Sequence, residues 1–259
     1  MSSFQHLPIS LQKSFDEKSL FKVIAGLNNF DRDSVTRIAK ASRIGNADLL
    51  DIACDAELVR LAIQHSELPV CVSAVEPELF PAAIEAGASM IEIGNYDSFY
   101  AQGRCFDAKE INEITAQTKK LLPDVFLSVT VPHTLPLDKQ AELALDLLDK
   151  GADVIQTEGG KSAKPLSAGT LGLIEKAAPT LAAVHTISET FRNAGLSIPL
   201  ICASGLSAVT SPMAIAAGAS GVGVGSVVNR LLNEIEMIAV IRSIREALDS
   251  ERCLSDKFL

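Results

Sequence analysis

The sequence predicts an α/β fold, namely a (β/α)8 TIM barrel with a short helix before the first strand. Two observations carry this prediction. Short apolar segments of strand length recur along the chain, and stretches with helical spacing fill the gaps between them. Such alternation is typical of parallel α/β proteins, in which each strand is followed by a helix that covers the sheet.

The apolar segments take two alternating forms. One form begins at a glycine: GNADLLDIA from Gly45, GASMIEIG from Gly87, GADVIQTEG from Gly151 and GASGVGVGS from Gly218. The other begins just before a proline: LPVCVS from Leu68, LPDVFLSVT from Leu122 and IPLICASG from Ile198. Interleaved, they make seven strands, and residues 22–25 make an eighth. Eight units favour closure into a barrel over an open doubly wound sheet, and 259 residues suit one domain over residues 1–259.

The helices are predicted in chain order from their periodicity. Residues 8–20 form a short amphipathic helix with Leu11 and Phe15 on one face, which could plug the bottom of the barrel. After the first strand, Asp31 or Asp33 is suited to cap a helix that Gly45 ends. Further helical patterns cover residues 55–65, 76–86, 107–121, 138–149, 168–192, 207–217 and 227–248.

The last predicted helix has a wide apolar face. Its apolar side chains are Leu231, Leu232, Ile235, Ile238, Ala239 and Ile241. Such a face either packs wholly against the barrel or also forms the contact of a homodimer. Both interpretations stay open from the sequence.

Charge and composition exclude several classes of protein. A formal net charge of -9 and a pI near 5.0 argue against a nucleic-acid-binding surface. The first twenty residues contain Asp16, Glu17 and Lys18 in place of an apolar core, so we expect neither a secretion signal nor a membrane anchor. The expected protein is soluble and intracellular.

The cysteines and histidines argue against a metal centre. The 5 cysteines are odd in number and lack C-x-x-C spacing, which is untypical of a disulfide framework or a zinc site. Cys54, Cys71 and Cys202 lie in or beside apolar segments and are expected to be reduced core residues. The 4 histidines include no close pair, so we predict no metal site.

Residues 199–229 contain no charged side chain and predict a strand, a helix and a second strand. The first strand ends at Ser204 and Gly205, and the second at Gly225 and Ser226. Because the two strands are parallel, both ends lie on the same side of the sheet. Glycine lets backbone N–H groups approach an anion, and a following helix adds its positive end. A small phosphorylated molecule is the expected ligand. The glycines and prolines interrupt every apolar window, which argues against a membrane helix.

Glu158 is the first candidate for chemistry. It follows the sixth strand, and Gly159 and Gly160 after it give a ligand access to the backbone. A carboxylate at a strand end can act as a general base when burial raises its pKa. Alternatively, Glu158 is a structural acid that pairs with Lys161 or with loop N–H groups. Lys161 itself could form a Schiff base, but a lysine beside flexible glycines is better suited to solvent or to a phosphate.

Three further residues are catalytic candidates. Asp51 and Glu92 lie within strands and alternate with apolar residues, so they could point into the barrel. Charged groups there need partners, and each is either a functional acid or a hydrogen-bonding hub. His133 follows the fifth strand and titrates near neutrality, as an acid or base or as an ordinary loop histidine.

A long loop after the fourth strand, GNYDSFYAQGRCF, carries both tyrosines of the chain together with phenylalanine and arginine side chains. Loops of this kind on the strand-end face often close over ligands. The alternative is that the aromatic side chains pack the loop onto the barrel.

Segments along nearly the whole chain carry a family resemblance: VIAGLNNFDR, LLDIACD, EIGNYDSFYAQGR, SVTVPHTLP, IQTEGG and CASGLSAVTSPMA. The chain resembles the hypothetical chloroplast reading frame twenty-three (ycf) family, found in algal plastids, cyanobacteria and plants. That family is classed as a domain of unknown function and grouped by fold with phosphate- and flavin-binding barrels. The resemblance implies a TIM barrel in the cyanobacterial cytoplasm or the plastid stroma, and it implies no reaction.

A more distant resemblance raises FMN as a ligand. In the nitronate monooxygenase and enoyl reductase barrels, which carry FMN, a glycine pair follows an acid after the sixth strand, and glycines end the last two strands. Glu158-Gly159-Gly160, Gly205 and Gly225-Ser226 match those places. Leu206 stands where those barrels commonly have a second glycine, and AGLNNF replaces their proline-containing first strand end.

The sequence leaves two classes of function open. The first is an enzyme of the lyase or isomerase type, or an FMN-dependent oxidoreductase. It would bind a phosphorylated metabolite or FMN at Gly159, Gly160, Ser204, Gly205, Gly225 and Ser226. Glu158, Glu92, Asp51 and His133 are then the groups that handle protons. The second is a nonenzymatic sensor of phosphorylated metabolites, or an assembly component, with the same pocket.

Overall fold

Eight parallel strands close into a barrel, as the sequence predicts. The computed structural model describes residues 3–100, 102–159 and 163–258. The strands are β1 (Leu20–Gly26), β2 (Leu49–Ala53), β3 (Val70–Ala74), β4 (Met90–Ile93), β5 (Leu127–Val131), β6 (Val154–Thr157), β7 (Leu200–Ala203) and β8 (Gly221–Val224). Each strand pairs with the next one along the chain, and β1 pairs with β8 from Leu20 opposite Gly221, which closes the ring.

Helices separate the strands and surround the barrel. They are α1 (Ile9–Asp16), α2 (Arg32–Ile44), α3 (Ala56–Ser66), α4 (Phe80–Glu85), α5 (Asp97–Tyr100), α6 (Ala108–Leu121), α7 (Leu137–Asp149), α8 (Gly169–Asn193), α9 (Ser211–Ala216), α10 (Ser226–Asn229) and α11 (Glu234–Phe258). Short 3-10 turns lie at Ser3–His6 and Pro77–Leu79. Asp31 is the cap of α2, because its side chain accepts hydrogen bonds from two backbone N–H groups of the first turn.

The predicted helix over residues 227–248 is wrong in one respect, because two helices occupy this region. The short helix α10 begins directly after β8, and α11 starts separately at Glu234. Asn233 accounts for the new start, since its Oδ1 accepts a hydrogen bond from the N–H of Ile235 at 2.9 Å. A short helix after the last strand is a common element of phosphate-binding barrels.

The apolar face of α11 is only partly covered. Met237, Ile241, Ile244 and Leu248 are buried. Leu232, just before the helix, is 87% exposed, and Ile235 in its first turn is 74% exposed. The homodimer therefore stays a prediction, and the two exposed side chains are where it would be tested.

The bottom of the barrel is closed by apolar packing. We call the inward side chains at this level the lower layer: Leu20, Leu49, Cys71, Met90, Phe126, Val154 and Ile201. Leu11 and Phe15 of α1 pack against them, and the ring centroids of Phe15 and Phe126 lie 5.9 Å apart. The N-terminal helix is thus the plug that the sequence indicated.

The next level of the barrel interior is polar. Side chains on a strand point inward at every second residue, so the residues two positions beyond the lower layer also face inward, and Thr130 follows Phe126 by four positions. We call this set the upper layer: Lys22, Asp51, Ser73, Glu92, Ser128, Thr130 and Gln156. All of them are buried, and none is more than 1% exposed.

Three free cysteines are buried, as predicted: Cys54, Cys71 and Cys202. Burial raises the pKa of the Cys54 and Cys202 thiols to about 12 and raises that of Cys71 as well. Thiols with such raised pKa values are poor nucleophiles and poor metal ligands at neutral pH.

None of the helices in the described part of the chain combines the length and the apolar composition that a bilayer crossing requires.

Candidate functional site

A cavity of about 560 Å³ opens at the carboxyl ends of the strands. This volume lies within the range of roughly 300–1,000 Å³ that is typical of small-molecule sites. The ends of β7 and β8 line one side with Ser204, Gly205, Gly225 and Ser226, while Asn95, Asp97, Thr130, Gln156 and Glu158 line the other. The cavity therefore joins two chemically different ends.

The glycine end has an unusual backbone. Ser204 and Gly205 both have positive φ angles, of 78° and 74°. A Cβ on Gly205 would lie 2.8 Å from the carbonyl oxygen of Lys176, so only glycine fits there. A non-glycine residue held at positive φ, such as Ser204, is strained, and such strain clusters at functional sites. The four predicted residues of this end meet at one wall of the cavity.

An anion at this wall would be held by backbone groups. Among the described lining residues there is no lysine or arginine. Ser226 is the first residue of α10, and because the N–H groups of Val228 and Asn229 both donate to the carbonyl oxygen of Gly225, those of Ser226 and Val227 are the ones without an acceptor inside the helix. Backbone N–H groups at the cavity wall form an environment suited to an anion such as a phosphate.

At the opposite end, Glu158 receives three hydrogen bonds. Its Oε1 accepts from the backbone N–H of His133 at 3.1 Å, from His133 Nδ1 at 2.9 Å and from the hydroxyl of Tyr100. The rings of Tyr100 and His133 lie edge to face with centroids 4.9 Å apart. The sequence named Glu158 and His133 separately, and the structure brings them into contact.

This contact assigns the proton on the imidazole. When Glu158 is ionised its oxygens can only accept, so His133 donates to it from Nδ1. None of the described donors contacts Glu158 Oε2, and Glu158 lines the cavity. A hydrogen-bonded carboxylate and imidazole beside a ligand cavity form an acid–base pair.

The loop after β4 has two roles. Tyr96 and Phe106 are buried with ring centroids 4.6 Å apart, and Phe99 packs on Phe106 at 5.4 Å, so most of the aromatic side chains attach the loop to the barrel. Tyr100 alone of this set contacts Glu158. Burial and the adjacent Glu158 carboxylate raise the pKa of Tyr100, which therefore stays protonated as a hydrogen-bond donor.

The same end of the cavity offers a set of metal ligands that the sequence did not reveal. Ligand atoms of Asp97, His133 and Glu158 all lie within 4.8 Å of one another. Two carboxylates and an imidazole are ligands that divalent transition metals accept. The three residues follow three different strands, so no local spacing could have indicated the cluster.

Below the cavity, Lys22 holds a buried ionic cluster. Its Nζ lies 2.5 Å from Glu92 Oε2 and 3.5 Å from Asp51 Oδ2, and all three side chains are at most 1% exposed. Lys22 was missed in the sequence. The sign that could have found it is a lysine at an inward position of the strand LFKVIAG, between Leu20 and Ile24.

The pKa values in this cluster oppose one another. Burial by itself lowers the pKa of Lys22, but the carboxylates of Glu92 and Asp51 outweigh it, so the pKa lies above its ordinary value. For Asp51, burial raises the pKa to about 6, while Lys22 acts in the opposite direction. Lys22 thus stays charged at neutral pH, and Asp51 titrates just below neutrality.

Asp51 and Glu92 lie beneath the cavity floor and outside its wall. Asn95 Nδ2 connects them to the cavity, since it lies 3.2 Å from Asp51 Oδ2 and 3.3 Å from Glu92 Oε1. Gln156 Nε2 also donates to Glu92 Oε1, at 2.7 Å. In this arrangement the two acids orient the side chains of the floor, and their predicted part in proton transfer stays a prediction.

The glycine pair after β6 is only half described. A Cβ on Gly159 would lie 3.0 Å from the backbone nitrogen of Thr180 and 3.1 Å from Pro179 Cβ, so the lack of a side chain there serves packing against α8. Gly160 and Lys161 lie outside the described residues.

Comparisons with solved structures agree with the fold. Thiamine phosphate pyrophosphorylase from Pyrococcus furiosus is 16% identical, has a TM-score of 0.57 and matches 91% of this chain and 98% of its own. (S)-3-O-geranylgeranylglyceryl phosphate synthase from Thermoplasma acidophilum, in complex with its substrate sn-glycerol-1-phosphate, is 14% identical, has a TM-score of 0.60 and matches 93% and 98% of the two chains. At these identities the likeness shows the fold alone.

Sequence relatives cover nearly the full length. The ycf23 protein of Porphyra purpurea is 40% identical over 240 residues, which are 93% of this chain and 89% of the relative. The ycf23 protein of Cyanophora paradoxa is 44% identical over 229 residues, which are 88% of this chain and 92% of the relative. The family model described as "Protein of unknown function (DUF561)" matches residues 6–254. The chain therefore belongs to the DUF561 family, as its resemblance to the ycf proteins indicated.

Proposed function

We propose that this protein is an enzyme that binds a small phosphorylated metabolite at the barrel mouth. It would add a proton to the metabolite or remove one from it, as lyases and isomerases do. The observation that carries the proposal is that one cavity is lined both by the glycine–serine ends of β7 and β8 and by the Glu158 carboxylate. A ligand with a phosphate at one end and a reacting carbon at the other matches this asymmetry.

The phosphate assignment is supported by the backbone at the glycine end. Gly205 has no space for a side chain, and Ser226 starts a helix at the cavity wall. Loops after the seventh and eighth strands, with a short extra helix, form the phosphate site of many TIM barrels. The names of the two fold neighbours include phosphorylated compounds, which agrees with this assignment.

The proton-transfer assignment is supported by the pair of Glu158 and His133. Glu158 is 5% exposed, lines the cavity and orients the imidazole through Nδ1. General acid–base groups of this kind contribute about 10²–10⁴-fold to a rate. A protein that only senses a metabolite needs the phosphate end and has no use for a base at the other end, so this pair favours an enzyme over a sensor.

The described lining favours a small metabolite over FMN. Apart from residues 160–162, which are not described, it contains no aromatic side chain and no cation. Proteins tune a flavin through hydrogen bonds and charge near its ring nitrogens. Absorbance of the purified protein between about 350 and 500 nm tests the flavin hypothesis directly.

We further propose the plastid stroma or the cyanobacterial cytoplasm as the location, from the ycf23 relatives.

Binding and turnover are tested separately. For binding, inorganic phosphate and racemic glycerol 1-phosphate are titrated by calorimetry into the wild-type protein and into Ser226→Asp. An aspartate at the first residue of α10 places a negative charge at the proposed phosphate site and repels an anion, so we expect affinity to fall more than about tenfold. Ser226→Ala is the matched control and should bind nearly as well as wild type. Failure of both probes to bind the wild-type protein contradicts the proposed phosphate site.

For turnover, three- to six-carbon aldose and ketose phosphates are incubated with the protein in D2O and followed by proton NMR. We expect deuterium exchange at a carbon next to a carbonyl, and Glu158→Gln should slow it by about 10²–10⁴-fold while phosphate binding persists. Glu113→Gln, on the surface of α6 and 59% exposed, is the matched control. Equal exchange rates in the Glu158→Gln and wild-type proteins would remove Glu158 from the mechanism.

A further inference from the structure

The buried side chain of Gln156, a residue of the cavity lining, has a carbonyl oxygen without a partner among the described residues. Gln156 is 1% exposed and lines the cavity, yet its Oε1 has no hydrogen-bond donor within reach among the described residues. Buried polar atoms in folded proteins are nearly always paired, because an unpaired acceptor has lost water without gaining a replacement. An unpaired acceptor in a cavity wall indicates a group that a ligand supplies.

The orientation of this amide is determined by its surroundings. Gln156 Nε2 donates to Glu92 Oε1 at 2.7 Å and to Thr130 Oγ1 at 3.2 Å. Rotating the amide by half a turn would place Oε1 against the carboxylate oxygen, and two acceptors cannot pair. The unpaired atom is therefore the carbonyl oxygen and not the amino group.

Lys22 keeps this arrangement in place. Its ammonium lies 2.5 Å from Glu92 Oε2, and Ser128 donates to the same oxygen at 2.9 Å. An ionised Glu92 has only acceptor atoms, so it binds the amino group of Gln156 and turns Oε1 away from the carboxylate, in a residue that lines the cavity.

We propose that Gln156 Oε1 is a specificity-determining acceptor for a hydroxyl group of the ligand, so that the substrate is a phosphorylated polyol or hydroxycarbonyl compound. The proposal rests on the proposed function, because the phosphate end of the same cavity sets where the ligand lies. A neutral hydroxyl suits this position better than an ammonium, because the charge of Glu92 beneath it is already paired with Lys22. In this role Gln156 contacts the ligand to select it and takes no part in bond breaking.

The test uses two pairs of probes that differ only in hydroxyl groups. They are racemic glycerol 1-phosphate against propyl phosphate, and ribitol 5-phosphate against pentyl phosphate, each titrated by calorimetry. In the wild-type protein we expect the hydroxylated member of at least one pair to bind about tenfold more tightly, since a site built to accept a hydrogen bond rejects the analogue without the donor.

The variant Gln156→Met keeps the length of the side chain and removes the acceptor. We expect the hydroxyl advantage to fall below about threefold, while the alkyl phosphates bind as before. Gln140→Met is the matched control: Gln140 on α7 is also buried with an unpaired Oε1 among the described residues, but it does not line the cavity. Its hydroxyl preference should equal that of wild type.

The outcomes separate this inference from the proposed function. Equal affinities within both pairs for the wild-type protein would overturn the role of Gln156 and leave the phosphate site standing. A hydroxyl advantage that persists undiminished in a folded Gln156→Met protein would overturn it as well. Failure of all four probes to bind would contradict the phosphate site, and with it this inference. The wild-type comparison needs no variant, so poor folding of Gln156→Met would not prevent the test.

Discussion

The two layers of the barrel interior come from the same strands and have opposite chemistry. On β1 the lower layer receives Leu20 and the upper layer Lys22, and on β4 the pair is Met90 and Glu92. Both layers are equally shielded from water, since all four side chains are 0% exposed. The difference therefore does not follow from burial and calls for another cause.

Stability alone does not require a charged layer. Replacing a buried ion pair by well-packed apolar side chains is often neutral or stabilising, because the pair loses its hydration. The lower layer shows what the barrel needs for closure, namely apolar side chains covered by Phe15 and Leu11. In the upper layer, Glu92 instead accepts hydrogen bonds from the amide groups of Asn95 and Gln156, which line the cavity. The upper layer is therefore organised around the amide groups that line the cavity.

The largest expected effect breaks the upper layer. Lys22→Met leaves Glu92 and Asp51 buried without their cation, so we expect the free energy of unfolding to fall by about 3–5 kcal/mol. Adding Glu92→Gln removes one of the two unpaired acids and should restore part of that loss. Urea denaturation of the two variants measures both effects.

The matched control lies in the lower layer. Phe15→Leu and Phe126→Leu each remove part of a ring contact. The double variant should be less stable than either single variant, because neither deletion leaves an unpaired charge that the other could remove. If Lys22→Met/Glu92→Gln were less stable than Lys22→Met, the two layers would not differ in the way described.

A smaller effect is expected from the titration of Asp51. Its pKa of about 6 in the folded protein lies above its ordinary value of 3.8, so between these values the folded state binds more protons than the unfolded chain. Stability from this group therefore falls as pH rises through that window, by on the order of 3 kcal/mol. Asp51→Asn should lack this component.

The measurement compares urea unfolding at pH 4 and pH 7 for wild type and Asp51→Asn. For each protein, the free energy of unfolding at pH 7 is subtracted from that at pH 4. All other carboxyl groups contribute equally to this difference in both proteins, so the part that is missing in Asp51→Asn is attributed to Asp51. If the free energy of unfolding changed equally between pH 4 and pH 7 in both proteins, burial would not hold Asp51 in its protonated form.

Local sequence patterns predicted most of the fold. Apolar segments bounded by glycine and proline located the strands, and the amphipathic spacing of Leu11 and Phe15 located the plug, because these features depend on neighbours along the chain. The predicted helix over residues 227–248 was wrong where a single capping side chain, Asn233, started a new helix. Helical periodicity alone does not register such a cap.

The site was predicted as positions and not as contacts. Glu158 and His133 were named from their places after strands, but their hydrogen bond joins residues 25 positions apart in sequence. Lys22 and the unpaired oxygen of Gln156 depend on which side chains face one another across a closed barrel. Strand ends and helical periodicity can be predicted from a single sequence. Which side chains contact one another across the barrel interior depends on the register of all eight strands.

The most direct test of the account is a crystal structure of the protein with racemic glycerol 1-phosphate at saturating concentration. We predict that the phosphate lies within hydrogen-bond distance of backbone N–H groups among Gly205, Gly225 and Ser226, and that a ligand hydroxyl lies about 3 Å from Gln156 Oε1. A phosphate bound at the Glu158 end, or outside the cavity, would contradict it.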